Sequence, residues 1–96
     1  MGTQHKFEWD EQKNISNQEN HGVSFEQACK AFDDPKHIIM GNSKHSLLEK
    51  RYYLFGNDGN GILTVRFTIR VDAIRIIGAG YWRKGKKIYE RGKNDE

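Results

Sequence analysis

Residues 62–70 read ILTVRFTIR, and their alternation is the strongest structural signal in the chain. Leu63, Val65, Phe67 and Ile69 fall on one side of an extended strand, while Thr64, Arg66, Thr68 and Arg70 fall on the other. Such a strand is expected to lay its apolar side against helices. Upstream, NDGNG at 57–61 has the composition of a hairpin turn, and RYYLFG at 51–56 reads as the strand entering it. Downstream, VD at 71–72 turns the chain into AIRIIGAG at 73–80, a further strand with Ile74 and Ile76 on one face and Arg75 and Ile77 opposed to them. A short strand, HIIM at 37–40, precedes these, joined to them by the polar loop GNSKHSLLEK at 41–50. The set forms an antiparallel meander.

The first third of the chain is helical in pattern. KFEW at 6–9 is a short strand, and Asp10 is placed to cap EQKNISNQEN at 11–20, a helix whose only large apolar residue is Ile15. Gly22 suits the left-handed position just past a helix end, which puts His21 in the last turn, where a cationic imidazole favours the helix dipole. Ser24 and Gln27 have the spacing of a capping box, with Val23 and Ala28 placed as a hydrophobic staple. Phe25, Ala28, Cys29 and Phe32 follow on one helical face, and Pro35 closes the segment, since the residue before a proline avoids helix. YWRKGKKIYER at 81–91 reads as a terminal helix weakened by Gly85. The expected architecture is α+β: a short first strand, two helices, the meander and a C-terminal helix, with helices packed on one sheet face. Residues 1–96 are expected to form one domain, with 1–5 and 92–96 as frayed tails. Phe25, Ala28, Phe32, Val65, Phe67 and Ile76 are expected to share its core.

With 30% charged residues and no apolar run near the roughly 20 residues that span a bilayer, no membrane segment is expected. The opening MGTQHKFEWDE has no apolar core of a secretory signal, and the lone Cys29 cannot form an internal disulfide, so a cytoplasmic protein is expected. No CxxC or HExxH spacing supports a metal site, and no cofactor is expected. Charge is unevenly spread. Up to Gly80 the chain carries 10 Lys and Arg against 10 Asp and Glu; beyond it, 6 against 3. The cationic surplus lies in YWRKGKKIYERGKNDE, where Tyr81, Trp82 and Tyr89 interleave with Arg83, Lys84, Lys86 and Lys87. Aromatics among cations can stack unpaired bases and draw phosphates. The competing reading makes Trp82 and Tyr89, seven residues apart, the buried side of the helix.

Neighbouring strands about 4.8 Å apart can bring Arg51, Arg66, Arg70 and Arg75 onto one surface. These arginines either gather as a phosphate-binding surface or pair with Glu49, Asp58 and Asp72. Among the histidines, His21 is the most constrained in position; His5, His37 and His45 lie in a terminal segment, before a strand and in a loop. His21 reads as a proton-transfer group or as a structural helix end, and a lone histidine at a helix end is more often the latter.

Taken together, Phe7, Trp9, Asp10, Lys13, Asn14, Asn17, His21, Gly22, Val23, Phe25, Ala28, Phe32, Asp34 and Pro35 resemble the opening of the BrnT toxins, ribonuclease components of bacterial type II toxin–antitoxin systems. EKRYYLFG at 49–56, the end of RFTIR, IRIIGA at 74–79 and IYE at 88–90 resemble the family's later elements, so the likeness runs from about Phe7 to Glu90. It implies a RelE-like fold, metal-independent RNA cleavage that inhibits growth, and neutralisation by a ribbon-helix-helix antitoxin, with a homodimer possible inside the complex. By position it implies active-site roles for His21, Arg51, Arg70 and Arg75. The chemistry of metal-free cleavage adds Tyr89 as a second proton-transfer candidate, and the basic, aromatic-rich surface adds Arg66, Tyr81, Trp82, Arg83, Lys84, Lys86 and Lys87 as RNA contacts. One departure stands out. The family's ISAR is IGAG here, so Gly78 and Gly80 replace a serine and an arginine, and the arginine is one the resemblance assigns to the active site. The alternative is therefore a non-catalytic protein that uses the same basic surface to grip nucleic acid or an acidic antitoxin segment.

Overall fold

The computed structural model describes residues 6–42 and 50–94. The elements follow the order β1 (Phe7–Glu8), α1 (Glu11–His21), α2 (Phe25–Ala31), β2 (Ile38–Asn42), β3 (Arg51–Asn57), β4 (Ile62–Arg70), β5 (Ala73–Gly80) and α3 (Arg83–Asn94). The expected tails at 1–5 and 95–96 and the loop at 43–49 lie outside the described residues, and His5, His45 and Glu49 with them. The fold is α+β, as the pattern implied. Its five strands form one sheet in the order β1-β5-β4-β3-β2, antiparallel throughout except for β1, which runs parallel to β5.

The inner face of the sheet carries the core. Leu54, Leu63, Val65, Phe67, Ile76 and Ala79 pack with Val23, Phe25, Ala28, Ala31 and Phe32. Phe25, Ala28, Phe32, Val65, Phe67 and Ile76 are thus buried together, as the helical and strand periods require. An aromatic line of edge contacts, Phe7–Phe32 at 5.1 Å and Phe32–Phe67 at 5.2 Å, continues as Phe67 stacks on Tyr52 at 5.4 Å. Gly56 lets α2 approach, since a Cβ there would stand 2.5 Å from the Ala31 carbonyl oxygen. Cys29 is half-buried at the margin of this core; burial, with Glu26 and Asp33 nearby, pushes its thiol up to about 11.

The polar α1 has a different task. Asp10 accepts from the Gln12 N–H at its start, and Gly22, at φ 69°, ends it with an N–H donated to the Gln18 carbonyl. β1 pairs with β5 only at Ile74 and Arg75, which leaves the later part of that edge open. Asn17 closes it. Its Oδ1 accepts from the Ala79 N–H at 3.2 Å, and its Nδ2 donates to the carbonyls of Ala79 at 2.9 Å and Val23 at 2.8 Å. Asn14, also buried, accepts from the Phe25 N–H at 2.8 Å and so ties α1 to the start of α2. A helix that is polar on nearly every side thus replaces a missing strand by side-chain amides.

Four expectations change. Helices occupy both sheet faces: α3 lies on the outer face, where Gly85 meets Thr64 and Phe55, a cross-strand pair pointing away from Leu54, Leu63 and Val65. Tyr81 and Trp82 precede α3, and the helix runs on to Asn94, so Gly92 belongs to packed structure, with its Cα side against Ile38. Arg66 pairs with Gly78 while Phe67 pairs with Ile76, so Ile77 is an extra residue in β5 and the regular alternation expected there breaks. Ser24 caps α2 by accepting from the Gln27 N–H, but the Gln27 side chain turns away from the capping box to Asp58 and Tyr81.

Two stability measurements check this account. Asn17→Ala leaves three backbone groups without partners, each worth about 1–3 kcal/mol when buried. Denaturant unfolding should show a loss of roughly 3 kcal/mol, against less than about 0.5 kcal/mol for Gln12→Ala on the exposed side of α1. Gly85→Ala should also destabilise. Helix propensity alone favours alanine by about 1 kcal/mol, but the new methyl would collide with the Thr64 hydroxyl and the Phe55 ring. A Gly85→Ala protein more stable than the unmodified chain would refute that packing.

Candidate nucleic-acid interface

α3 crosses one end of the outer sheet face and leaves the other end uncovered. The crossing is set by small residues: Gly85 over Thr64, and Gly92 over Ile38, where a Cβ would stand 2.5 Å from Ile38 Cδ1. Tyr89, four residues after Gly85, is buried and anchors the helix by donating its hydroxyl to Asp34 Oδ2 at 2.7 Å. The same carboxylate oxygen accepts from the Asn57 N–H at 2.8 Å, and Oδ1 accepts from the Lys36 N–H. Burial opposes the charge on Asp34, yet these donors outweigh it and hold the carboxyl below its usual range. The same hydrogen bond, with burial, pushes the Tyr89 phenol up to about 12.

On the uncovered end, register lines up residues from successive strands. Glu8 is opposite Arg75, Arg75 opposite Thr68, and Thr68 opposite Arg51. At about 4.8 Å per strand, Arg51 and Arg75 stand roughly 10 Å apart at the backbone, either side of Thr68. Arg75 donates to Glu8 Oε2 at 3.2 Å, with both side chains partly exposed. Thr68 is fully buried, and its hydroxyl has no hydrogen-bond partner. Arg66, opposite Tyr53 and Gly78, lies one step along the same face. Its guanidinium rests on β5, and a Cβ at Gly78 would come within 2.7 Å of it.

Between this row and α3 runs a groove of about 700 Å³ lined by Met40, Tyr53, Phe55, Trp82, Lys84 and Ile88. The Trp82 indole lies flat on Gly80, where a Cβ would be 2.6 Å from the ring. Its neighbour Tyr81 donates to Asp58 Oδ2 at 2.5 Å, and Gln27 donates both to that oxygen and to the Tyr81 hydroxyl. Burial works against the Asp58 charge, but Tyr81, Gln27 and the N–H groups of Asn60 and Gly61 hold the carboxyl down; burial and Asp58 in turn raise the Tyr81 phenol. This network fixes the segment before α3 and so the pose of Trp82. His21, exposed at the end of α1, meets the Trp82 ring edge-on at 5.1 Å.

The structure therefore sorts the expected site residues into groups. Arg51, Arg66 and Arg75 share the open outer face. Trp82 and Lys84 line the groove, and His21 meets Trp82, which lies over Gly80. Gly80 and Arg75 are opposite Thr64 and Thr68, about 13 Å apart along β4. Arg83, Lys86 and Lys87 are exposed on α3. Arg70 stands apart at the β4–β5 turn, lining a hollow with Ile39, Tyr52 and Ile69. Tyr81 and Tyr89 are engaged with Asp58 and Asp34. The expected alternative partners for the arginines also divide: Asp58 is taken by Tyr81 and Gln27, and Arg75 pairs instead with Glu8, which strand pairing alone brings to it. Among the described residues no three His, Cys, Asp or Glu side chains gather as a metal-ligand set, and no helix is long and apolar enough to cross a membrane.

The order of elements and the single mixed sheet define a small α+β domain. The family model for BrnT, the ribonuclease toxin of type II toxin–antitoxin systems, matches residues 9–85, and the chain belongs to that family. A comparison with curated proteins finds no match.

The Tyr89–Asp34 contact predicts a pH signature. A phenol whose folded value is raised stabilises the fold fully below its ordinary value of 10.0, and that contribution disappears as pH rises through about 12. Tyr89→Phe should therefore melt lower than the unmodified chain near neutral pH, with the gap closing between about pH 10 and pH 12. A gap unchanged across that range would show that the hydroxyl proton contributes nothing.

Proposed function

We propose that this chain is a toxin that cleaves RNA without a metal ion, inhibits growth by doing so, and is neutralised by a ribbon-helix-helix antitoxin, with a homodimer forming inside that complex. The observation that carries the reading is the open outer face, where Arg51, Arg66 and Arg75 stand beside a groove walled by Tyr53, Phe55 and Trp82. Three guanidinium groups suit a phosphodiester and the charge that builds on it during cleavage. The aromatic groove suits an unpaired base. Lys84, Lys86, Lys87 and Arg83 steer the strand along α3, and the substrate is met in the cytoplasm. His21, in contact with Trp82 at the opposite end of β5 from Arg75, acts in this reading on the nucleotide held at Trp82 rather than on the phosphate between the arginines. Tyr89 serves as the anchor of α3, and Arg70 as an outlying cation.

A second reading keeps the face but removes the chemistry. Gly80 stands where the family pattern has an arginine, and the Trp82 ring fills the space such a side chain would enter. In that reading the face grips nucleic acid or an acidic antitoxin segment without cutting.

The deciding experiment incubates the purified chain with a single-stranded RNA in excess chelator and separates the products. Cleavage that is lost in Arg51→Gln and Arg75→Gln supports the toxin reading; tight binding with intact RNA supports the second. Binding should weaken steeply with salt in either case. Replacing Lys84, Lys86 and Lys87 by glutamine should lower the slope of log affinity against log salt by about 2, given about 0.7 per single-strand phosphate contact. An unchanged slope would remove α3 from the contact surface.

A further inference from the structure

The two edges of the sheet differ. The β5 edge is closed by β1 and by the Asn17 amide. β2 forms the other edge, paired with β3 on one side and, among the described residues, with no strand on the other. An open edge is a template for a further strand, and proteins blunt such edges with charge, proline or a bulge. Ile38–Asn42 has none of these: it reads IIMGN and keeps an unbroken register against β3. Gly41 has no reason inside the chain. Its φ is not left-handed, and among the described residues a Cβ there would meet only the Tyr52 ring, at 4.0 Å. Conformation and packing both permit a side chain, and a glycine within a strand often marks the close approach of another backbone.

This edge separates two apolar hollows. Ile39 is opposite Leu54 and points to the inner face; Met40 is opposite Tyr53 and points to the outer face. Both are exposed, Ile39 at 50% and Met40 at 45%. Ile39 borders a hollow of about 540 Å³ with Phe32, Tyr52, Phe67 and Ile69. Met40 borders the groove of Tyr53, Phe55 and Trp82. The charge around both is mostly positive. Lys6, His37 and Arg70 line the inner hollow against the single acid Asp72, and Lys84 is the charged residue of the outer groove. Arg51 lies opposite Asn42, where the strand ends. A second copy of this chain would bring these cations against one another, whereas an acidic segment would meet them with the opposite charge.

We infer that β2 takes an extended, acidic peptide segment of a partner protein as a sixth strand, with apolar side chains dropping alternately into the two hollows and acidic residues lying towards the cations around them. The unpaired edge dictates the extended backbone, Ile39 and Met40 the apolar side chains, and the lysines and arginines the acids. The inference rests on the toxin reading for one step, that this partner is the neutralising one. Its side chain beside Met40 enters the same groove that an unpaired base would occupy, so neutralisation is competition for that groove.

The probe is a synthetic peptide of alternating leucines and valines between glutamate pairs, titrated into the full chain. It should bind. A lysine-flanked counterpart should bind about tenfold more weakly or worse, and a counterpart N-methylated throughout its centre, which cannot pair with an edge, should not bind. Ile39→Glu changes an exposed side chain outside the outer groove. It should unfold at the same denaturant concentration and bind a single-stranded 2′-deoxy strand as the unmodified chain does, yet bind the acidic peptide about tenfold more weakly or worse, because its carboxylate would be buried without a partner. Equal binding of the N-methylated peptide overturns strand addition. No binding of the acidic peptide, or equal binding of the lysine-flanked one, overturns the acidic partner. An unmodified chain that sediments as a dimer, and as a monomer in Ile39→Glu, gives the edge to a second copy and overturns it too. The acidic peptide should also displace the 2′-deoxy strand; binding of both together upholds the sixth strand and overturns the competition. If the chain neither binds nor cuts nucleic acid, the toxin reading fails alone, since peptide binding is measured without it.

Discussion

The interaction on which the rest of this structure depends is the grip of Asn17 on Ala79. A sheet edge exposes backbone donors and acceptors that must be paired or covered. β1 is too short to cover β5, and the side chain of Asn17 supplies both a donor and an acceptor to the uncovered residue. One amide thus does locally what a strand would do. It also reaches the Val23 carbonyl, so the sheet edge, the end of α1 and the turn into α2 meet at one side chain. Asn14 repeats the device one turn earlier against Phe25, a fully buried phenylalanine. Both asparagines sit in a low-dielectric setting where an unsatisfied amide is costly, which makes the geometry of α1 specific rather than merely favourable. That α1 carries a single large apolar residue, the exposed Ile15, follows: its binding energy to the domain is polar and directional.

The outer face is organised by an opposite principle, the removal of side chains. Gly78, Gly80 and Gly85 each face a large neighbour that uses the vacated volume: Arg66, Trp82 and the Thr64–Phe55 pair. The extra residue at Ile77 matters here, because it shifts the parity of β5 and brings Gly78 and Gly80 to the same face as Arg75. Without it, those two positions would point into the core. The departure from the family's ISAR pattern is therefore accompanied by a rearrangement, in which a guanidinium from β4 and an indole from the segment before α3 lie where side chains of β5 would otherwise stand.

Much of this was legible in the residues. The alternation of 62–70, the turn at 57–61, the left-handed Gly22 and the apolar face of α2 all depend on short-range chemistry, and each is present in the structure. What could not be read depends on which strands become neighbours. The parallel pairing of β1 with β5 puts Glu8 beside Arg75, 67 residues away in sequence. The side of the sheet chosen by α3 depends on Gly85 fitting over Thr64, and a helix interior glycine reads from sequence only as a weakness. Gln27 has the spacing of a cap and instead serves Asp58 and Tyr81, because a partner supplied by the β3–β4 turn was available. Tyr89 and Asp34 were each visible as residues, but nothing local joins them.

Electrostatics ties these features to the open face. Two unit charges about 10 Å apart repel by about 0.4 kcal/mol in water and by roughly 1.7 kcal/mol at an effective dielectric of 20. Arg51 and Arg75 therefore oppose each other weakly while exposed, and more strongly as anything displaces water from the face. Glu8 offsets one of the two charges and stands at the end of the row, not between them. A neutral ligand entering between the arginines would sharpen their repulsion, whereas an anion would cancel it. The same displacement of water that penalises the empty arrangement strengthens the filled one. Charge alone therefore makes this row a better neighbour for an anion than for a neutral group, and the polar helix at one edge and the glycine-seated helix at the far end leave its two arginines at the surface.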